Sequence, residues 1–503
     1  MDKVNRLKVC ARARGGEMKK MVLLAGLSLI SAGLFLACGE VDQAPGSDQG
    51  ISGPDAFSAD ANYATTRPDT FINSNPPDPS SSTDASFPFS CNKKRCAFQC
   101  KLDSSAWKSC KSPKNYTNLG GGLHTFRVKA QNPANDLWDK SPASYSWTIG
   151  DIWIPTSTPA NVPSPRDLHT AVLAGTKMIV WGGFAGSPNY FKTGGRYNPA
   201  NNSWTPTFAG ANIPSARYRH TAVWTGNQMI VWGGDNGSYL NSGGIYNPTT
   251  NSWTPTSTGA NVPVARSYHT AVWAGNQMIV WGGQEEANYF NTGARYNPAT
   301  NSWTPTSTGT NVPSGRRDHT TVWTGTEMIV WGGYMYDTAN HYLNDGGRYN
   351  STDNSWLPTS TGTNVPSVRS EHSAVWASTQ MIVWGGYMYD TSGHCLNDGG
   401  RYNPADNSWL PTSTGANVPS ERNLHTAVWT GSDMIVWGGS SGGYLNTGGK
   451  YNPGDDDWHP TSTGANVPTA RAWFTAIWTG NQMIIWGGYD GSNFLNTGAR
   501  YWP

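Results

Sequence analysis

Two stretches of this 503-residue chain set Asp and His four residues apart beside paired tyrosines. One reads Tyr334-Met335-Tyr336-Asp337 and reaches His341; the other reads Tyr387-Met388-Tyr389-Asp390 and reaches His394. Carboxylate and imidazole are metal ligands. Two donors per stretch lack the third that would define a centre, so neither a metal nor another cofactor is expected. The competing chemistry is contact. Tyrosine offers a flat face and a hydroxyl at small entropic cost, and Asp and His add polar partners for a protein or a glycan. A recent duplication with no specific role would also leave two such copies.

Arginine and histidine recur three residues apart at Arg166/His169, Arg217/His220, Arg266/His269, Arg316/His319, Arg369/His372 and Arg422/His425. The seventh copy pairs Arg471 with Phe474. A catalytic pair is normally unique, so this repetition reads as architecture that locks neighbouring units. An arginine ring open at the mouth of a channel could instead hold acidic groups. Other catalytic templates fail. H-E-x-x-H does not occur. The G-x-S-x-G match at Gly439–Gly443 follows an apolar run and leads into no helix, so it lacks the context of a nucleophile elbow.

These residues belong to a unit seen cleanly at His220–Trp253, HTAVWTGNQMIVWGGDNGSYLNSGGIYNPTTNSW. Its apolar runs are short, rich in Thr, Val, Ile, Trp and Tyr, and separated by Gly, Asn and Pro, which predicts strands. Four are read: A (HTAVW), B (MIVWGG), C (GGIYNP) and D (from NSW), with turns at WTGNQ and NPTTNS. The WGG motifs start at Trp181, Trp232, Trp281, Trp331, Trp384, Trp437 and Trp486. From Gly194, Gly243, Gly293, Gly346, Gly399 and Gly448 to the next WGG the distance is always 38 residues. Length variation is therefore confined to the B–C connection. B–C and D–A connections emerge on one face, the better place for recognition because loops on a rigid scaffold carry function.

The diglycine, the Tyr (Tyr246) and the Trp seven residues later (Trp253), repeated about every fifty residues, resemble kelch repeats, each a four-stranded propeller blade. The resemblance spans 151–503 and implies an all-β, seven-bladed propeller. The strand D Trp occurs at Trp204, Trp253, Trp303, Trp356, Trp409 and Trp458, and its seventh copy is Trp153. The Trp153 strand is thus expected to complete the last blade and remove open sheet edges. Of 25 Trp, twenty occupy repeat positions, which reads as packing between blades. Kelch propellers include oxidases resembling galactose oxidase, but those need a Tyr–Cys cross-link and a later domain, and the propeller here holds only Cys395. Sialidase boxes are absent. The enzyme alternative is a carbohydrate-active epimerase of the sialate mutarotase kind, using channel-mouth Arg and His. Binding or adhesion is the primary reading.

Upstream, Met18-Lys19-Lys20 precedes an apolar run with the form of a signal peptide, with Met18 the expected start. The run is too short for a membrane span. Phe35-Leu36-Ala37-Cys38 resembles the bacterial lipobox and implies lipidation at Cys38; Gly39 favours an outer-membrane or surface destination. Residues 1–38 are read as leader and 39–69 as a flexible tether. Residues 70–150 form a second unit. Cys100-Lys101-Leu102-Asp103, Cys110-Lys111-Ser112-Pro113, His124-Thr125-Phe126 and Ala143–Thr148 resemble a bacterial Ig-like module, which implies a small β-sandwich. Its four cysteines suggest disulfides in an exported chain. Three pairings are open; Cys100–Cys110 across a short hairpin is preferred, leaving Cys91–Cys96. This unit carries ten Lys/Arg against three Asp between residues 86 and 150, which would attract anionic glycans or lipid headgroups or simply solvate a spacer. Overall charge is +2, so nothing points to nucleic acid. The expected partners are a protein or glycan on the B–C/D–A face and a membrane through the lipid anchor.

Overall fold

A computed structural model describes residues 66–503 apart from 79 and 81, together with the backbone of Val9–Cys10 and Cys38–Gly39, which pair antiparallel. The leader, the Cys38 side chain and residues 40–65 of the expected tether lie outside the described residues, whereas residues 66–69 of that span are tied to the small β-unit, as by Arg67 Nη1 to Trp138 O (2.6 Å) and Asp69 N to Asn92 Oδ1 (2.9 Å). Residues 66–503 form one compact unit. Among the described residues there is no helix.

The repeats form seven four-stranded antiparallel sheets. In each, strand A ends at the Trp or Ala that opens the first turn, and strand B carries a wholly buried Met-Ile/Val run. Strand A of each sheet packs against strand A of the next, and Thr475–Trp478 returns to Thr170–Ala174, so the sheets form a closed ring. This is a propeller. The diglycine ends strand B with both residues at positive φ, +71° and +106° at Gly182 and Gly183. A Cβ on Gly182 would lie 2.4 Å from His220 Cε1 of the next sheet, so only glycine lets the ring close this tightly.

Between sheets, each strand B Trp packs on the strand D Trp of the next, with centroids 5.1–5.4 Å apart from Trp181–Trp253 round to Trp486–Trp204. An Asn at positive φ in the first five C–D turns, and Asp456 in the sixth, accepts from the repeat's Tyr and from the main chain of the preceding sheet, as Asn202 does from Tyr197 Oη (2.6 Å) and Ser157 N (2.8 Å). Most strand C arginines also reach a carbonyl in the following sheet's turn, as Arg196 does at Pro248 O (2.8 Å).

The seventh sheet is built from both ends of the repeat region. Ile152–Pro155 pairs antiparallel with Gly498–Trp502, with Trp153 opposite Tyr501. Trp153 packs on Trp437 and donates Nε1–H to Ser462 O (3.1 Å). Asp151 takes the place of the turn Asn: its Oδ1 accepts from Tyr501 Oη (2.6 Å) and Ser462 N (3.0 Å).

Residues 70–149 make a smaller β-unit. Gly122–Asn132 is flanked by Ala97–Leu102 on one side and by Ala143–Ile149 on the other. Phe87, Phe126 and Trp147 are fully buried in its core, which continues into Ile152 and Trp502 of the seventh sheet. The disulfides are Cys91–Cys96 and Cys100–Cys110, the preferred pairing.

Deleting residues 151–158 strips the seventh sheet of its outer strand and unpairs Gly498–Trp502. The variant should melt at lower temperature and aggregate sooner by light scattering, because an exposed strand edge templates association. A variant that melts like the parent would mean that closure does not depend on this strand.

Candidate functional site

The B–C connections of the fourth and fifth repeats fold as small hairpins. Tyr334–Tyr336 pairs with Asn340–Tyr342, and Tyr387–Tyr389 pairs with Gly393–Cys395. Position along each hairpin splits their residues into two groups, those beside the turn and those at the base. Tyr336 and Tyr389 point to solvent, 48% and 53% exposed. Asp337 and Asp390 cap the hairpin turns. Asp337 accepts from the amides of Thr338 and Ala339 and lies 2.9 Å from His341 Nε2. Those amides, with His341, draw its carboxyl down to about 2. Asp390 accepts from the Thr391 and Ser392 amides, and His394 stands 3.9 Å away. The Asp/His spacing thus builds turns. Among the described residues no group of three or more His, Cys, Asp or Glu could hold a metal.

Tyr334 and Tyr387 belong to the other group. With Tyr342 they form an edge-to-face row, Tyr334–Tyr342 at 5.2 Å and Tyr342–Tyr387 at 5.8 Å. The row walls a cavity of about 260 Å³ whose floor is Arg317, Asp318, Ser370, Glu371 and Asn423. The structure therefore gathers two of the eight hairpin residues singled out in the sequence and leaves six at the tips.

The seven arginines are not at the channel mouth. Arg166, Arg217, Arg266, Arg316, Arg369, Arg422 and Arg471 are buried. Each guanidinium holds the two ends of its own repeat's B–C connection, as Arg166 does at Gly182 O (2.8 Å) and Thr193 O (2.7 Å). Arg316 and Arg369 add Asp345 and Asp398, each at 2.9 Å. The arginines are closed to an external anion because their donors are already spent. The histidines are closed as well: His169 Nε2 meets Thr475 Oγ1 at 2.8 Å, and His220 repeats the contact with Thr170 at 2.9 Å. Burial, helped by Arg166, holds His169 down at about 3, a neutral imidazole. An epimerase using channel-mouth Arg and His would find neither available.

The mouth is lined instead by the residue just before each His or Phe: Leu168, Arg219, Tyr268, Asp318, Glu371, Leu424 and Trp473. All seven sit at positive φ, between 49° and 56°. Main-chain hydrogen bonds join four of the seven neighbouring pairs, as from Leu168 N to Trp473 O (3.1 Å) and from Glu371 N to Asp318 O (3.2 Å). The ring is half ionic and half apolar. On the ionic side Arg317 stacks on Tyr268 and Tyr334, 5.0 Å from each, and meets Asp318 at 3.2 Å. Glu371 accepts from Asn423 Nδ2 at 2.7 Å. Burial, reinforced by Glu371, pushes Asp318 up to about 7; Glu371 is also raised by burial. Sequence reading missed Asp318, Glu371 and Tyr342. The signal was present: this is the position that differs in every repeat but one while the Arg before it does not.

The family described as the KLHDC2/KLHL20/DRC7 Kelch-repeats domain matches residues 110–267, 191–386 and 318–501. The chain belongs to the kelch-repeat family. It is also similar to the host cell factor homolog hcf-1 of Caenorhabditis elegans, 28% identical over 134 residues, which is 23% of this chain and 16% of that protein. The chain thus matches well under two thirds of that relative's length. Membership identifies the ring of sheets as a kelch propeller.

The raised carboxyls leave a mark on stability. The unfolded chain ionises Asp near about 3.9, whereas Asp167 and Asp318 hold their protons to about 7 in the fold. The native state then binds more protons, so stability falls as pH rises from about 4 to about 7. The melting temperature should drop between pH 5 and 8, and Asp318→Asn should flatten part of that drop. An unchanged profile in the variant would show that Asp318 ionises in its ordinary range.

Proposed function

We propose that the chain is an exported, lipid-anchored cell-envelope protein whose seven-bladed propeller binds a protein or glycan partner. In this reading residues 1–38 are leader and lipobox, 39–69 tether, 70–150 an Ig-like sandwich and 151–503 the propeller. The partner is received on the B–C/D–A face, off-centre, beside the fourth and fifth blades. The observation that carries the reading is the cavity in which Tyr334, Tyr342 and Tyr387 stand over Asp318 and Glu371. It combines flat aromatic contact with buried polar groups, the composition of a specific binding site. The tip residues Tyr336, Asp337, His341, Tyr389, Asp390 and His394 form its raised rim.

The test is binding of the exported chain to a glycan array and to a panel of purified envelope proteins. Replacing Tyr334, Tyr336, Tyr387 and Tyr389 with Ala should weaken the hit by more than tenfold, about 1.4 kcal/mol, with little change in melting temperature. Full retention of binding would move the site elsewhere on the propeller.

Anchoring is tested separately. Acyl chains would supply the membrane affinity, so Cys38→Ser should release the protein into the soluble fraction. Unchanged membrane association of that variant would sink the lipoprotein assignment.

A further inference from the structure

The apolar half of the mouth holds a second cavity, of about 250 Å³, which shares no lining residue with the tyrosine-walled one. It lies where the seventh, first and second sheets meet. Its walls are aromatic. Tyr218 stacks on Phe184 at 5.1 Å, Phe184 meets Phe494 edge-on at 5.9 Å, Phe494 contacts Tyr489 at 5.1 Å, and Tyr489 leads to Trp473 at 6.4 Å. Each of these five rings is partly exposed, so the row presents ring surface to the cavity rather than closing into a core.

One carboxylate borders this aromatic space. Asp167 is only 5% exposed, yet its Oδ1 has no hydrogen-bond partner. Its main chain is fixed by a two-way bridge to Phe184, N to O and O to N at 3.0 Å each, so the side chain is held at the cavity rather than free to swing out. Arg219 also borders the space and its charge favours the Asp167 carboxylate, while its guanidinium lies over the rings of Tyr268 (4.2 Å) and Tyr218 (4.9 Å). A buried carboxylate with an oxygen left unbonded is unfavourable. A cation would satisfy it, and the negative faces of the rings attract a cation that has shed its water. An alkylated ammonium suits such walls better than a bare one, because its methyl groups pack on rings and it has little hydration to lose.

We propose that this cavity is a binding site for a small organic ammonium ion, with Phe184, Tyr218, Trp473, Tyr489 and Phe494 as the cage and Asp167 as the counter-ion. The site is independent of the partner-binding cavity beside the fourth and fifth blades. The same ammonium chemistry could arrive as a free metabolite-sized ion or as a choline lipid headgroup.

The test is calorimetric titration of the full exported chain at pH 8, where Asp167 is ionised. Choline and tetramethylammonium are the probes, and 3,3-dimethylbutan-1-ol, the uncharged shape-match of choline, is the control. Choline should bind at least about tenfold more tightly than the alcohol. Asp167→Asn should remove that preference. Trp473→Leu should weaken choline while leaving the melting temperature near the parent's, and Tyr387→Ala in the other cavity should change nothing. Phosphatidylcholine vesicles form a second arm: co-sedimentation lost in Asp167→Asn assigns the site to headgroups, and choline binding without co-sedimentation assigns it to free ions. Equal affinity for choline and the alcohol, an unchanged Asp167→Asn variant that melts like the parent, or no choline binding up to about 50 mM would overturn the proposal. Any of these results leaves the partner-binding test with the four tyrosines untouched.

Discussion

The packing of one tryptophan on another across each gap between sheets is the contact on which the ring depends. The strand B Trp and the next sheet's strand D Trp meet seven times at nearly the same distance, 5.1–5.4 Å, and all are buried. A single blade is a small twisted sheet that cannot bury both faces alone, so its stability comes from its neighbours. The diglycine follows from the same geometry, since a side chain at Gly182 or Gly183 would strike the next sheet's His220 or the repeat's own His169. The buried Arg then ties the ends of the B–C connection, which frees the loop beyond them to vary without loosening the sheet.

Closure applies these contacts where the chain has to meet itself. Trp153 supplies the missing tryptophan and Asp151 the missing turn acceptor, so the joint carries the same hydrogen bonds as the other six gaps. Asp replaces Asn there without loss, because both offer an acceptor oxygen and tolerate positive φ. The smaller β-unit is fastened to the same joint: Trp502 enters its core, and a Cβ on Gly121 would lie 2.1 Å from the Trp502 ring. That contact explains a glycine at 121.

Function is displayed where these constraints relax. The residue before each His or Phe474 is held at positive φ, yet its type changes from repeat to repeat. Seven such positions, with the B–C hairpins above them, make one ionic quadrant with tyrosine walls and one apolar quadrant with an aromatic row. A nearly symmetric scaffold thereby presents an asymmetric surface, which is what recognition of a specific partner requires.

The sequence by itself determined the strands, their order and the ring, because the period, the diglycine and the spaced aromatics are local patterns repeated until only one packing satisfies them all. It also located the closing strand at Trp153 and the variable hairpins, since both are visible as a displaced copy and as changes in spacing. What only the tertiary structure decided is which side chains meet. Tyr334 and Tyr336 are two residues apart, identical in type and on the same face of one strand, but Tyr334 at the base of the hairpin lines the cavity while Tyr336 beside its turn is exposed. Asp318 and Glu371 are 53 residues apart, and Asp167 and Trp473 are 306 apart. They become neighbours because the ring closes, and their burial comes from sheets on either side that no local window contains.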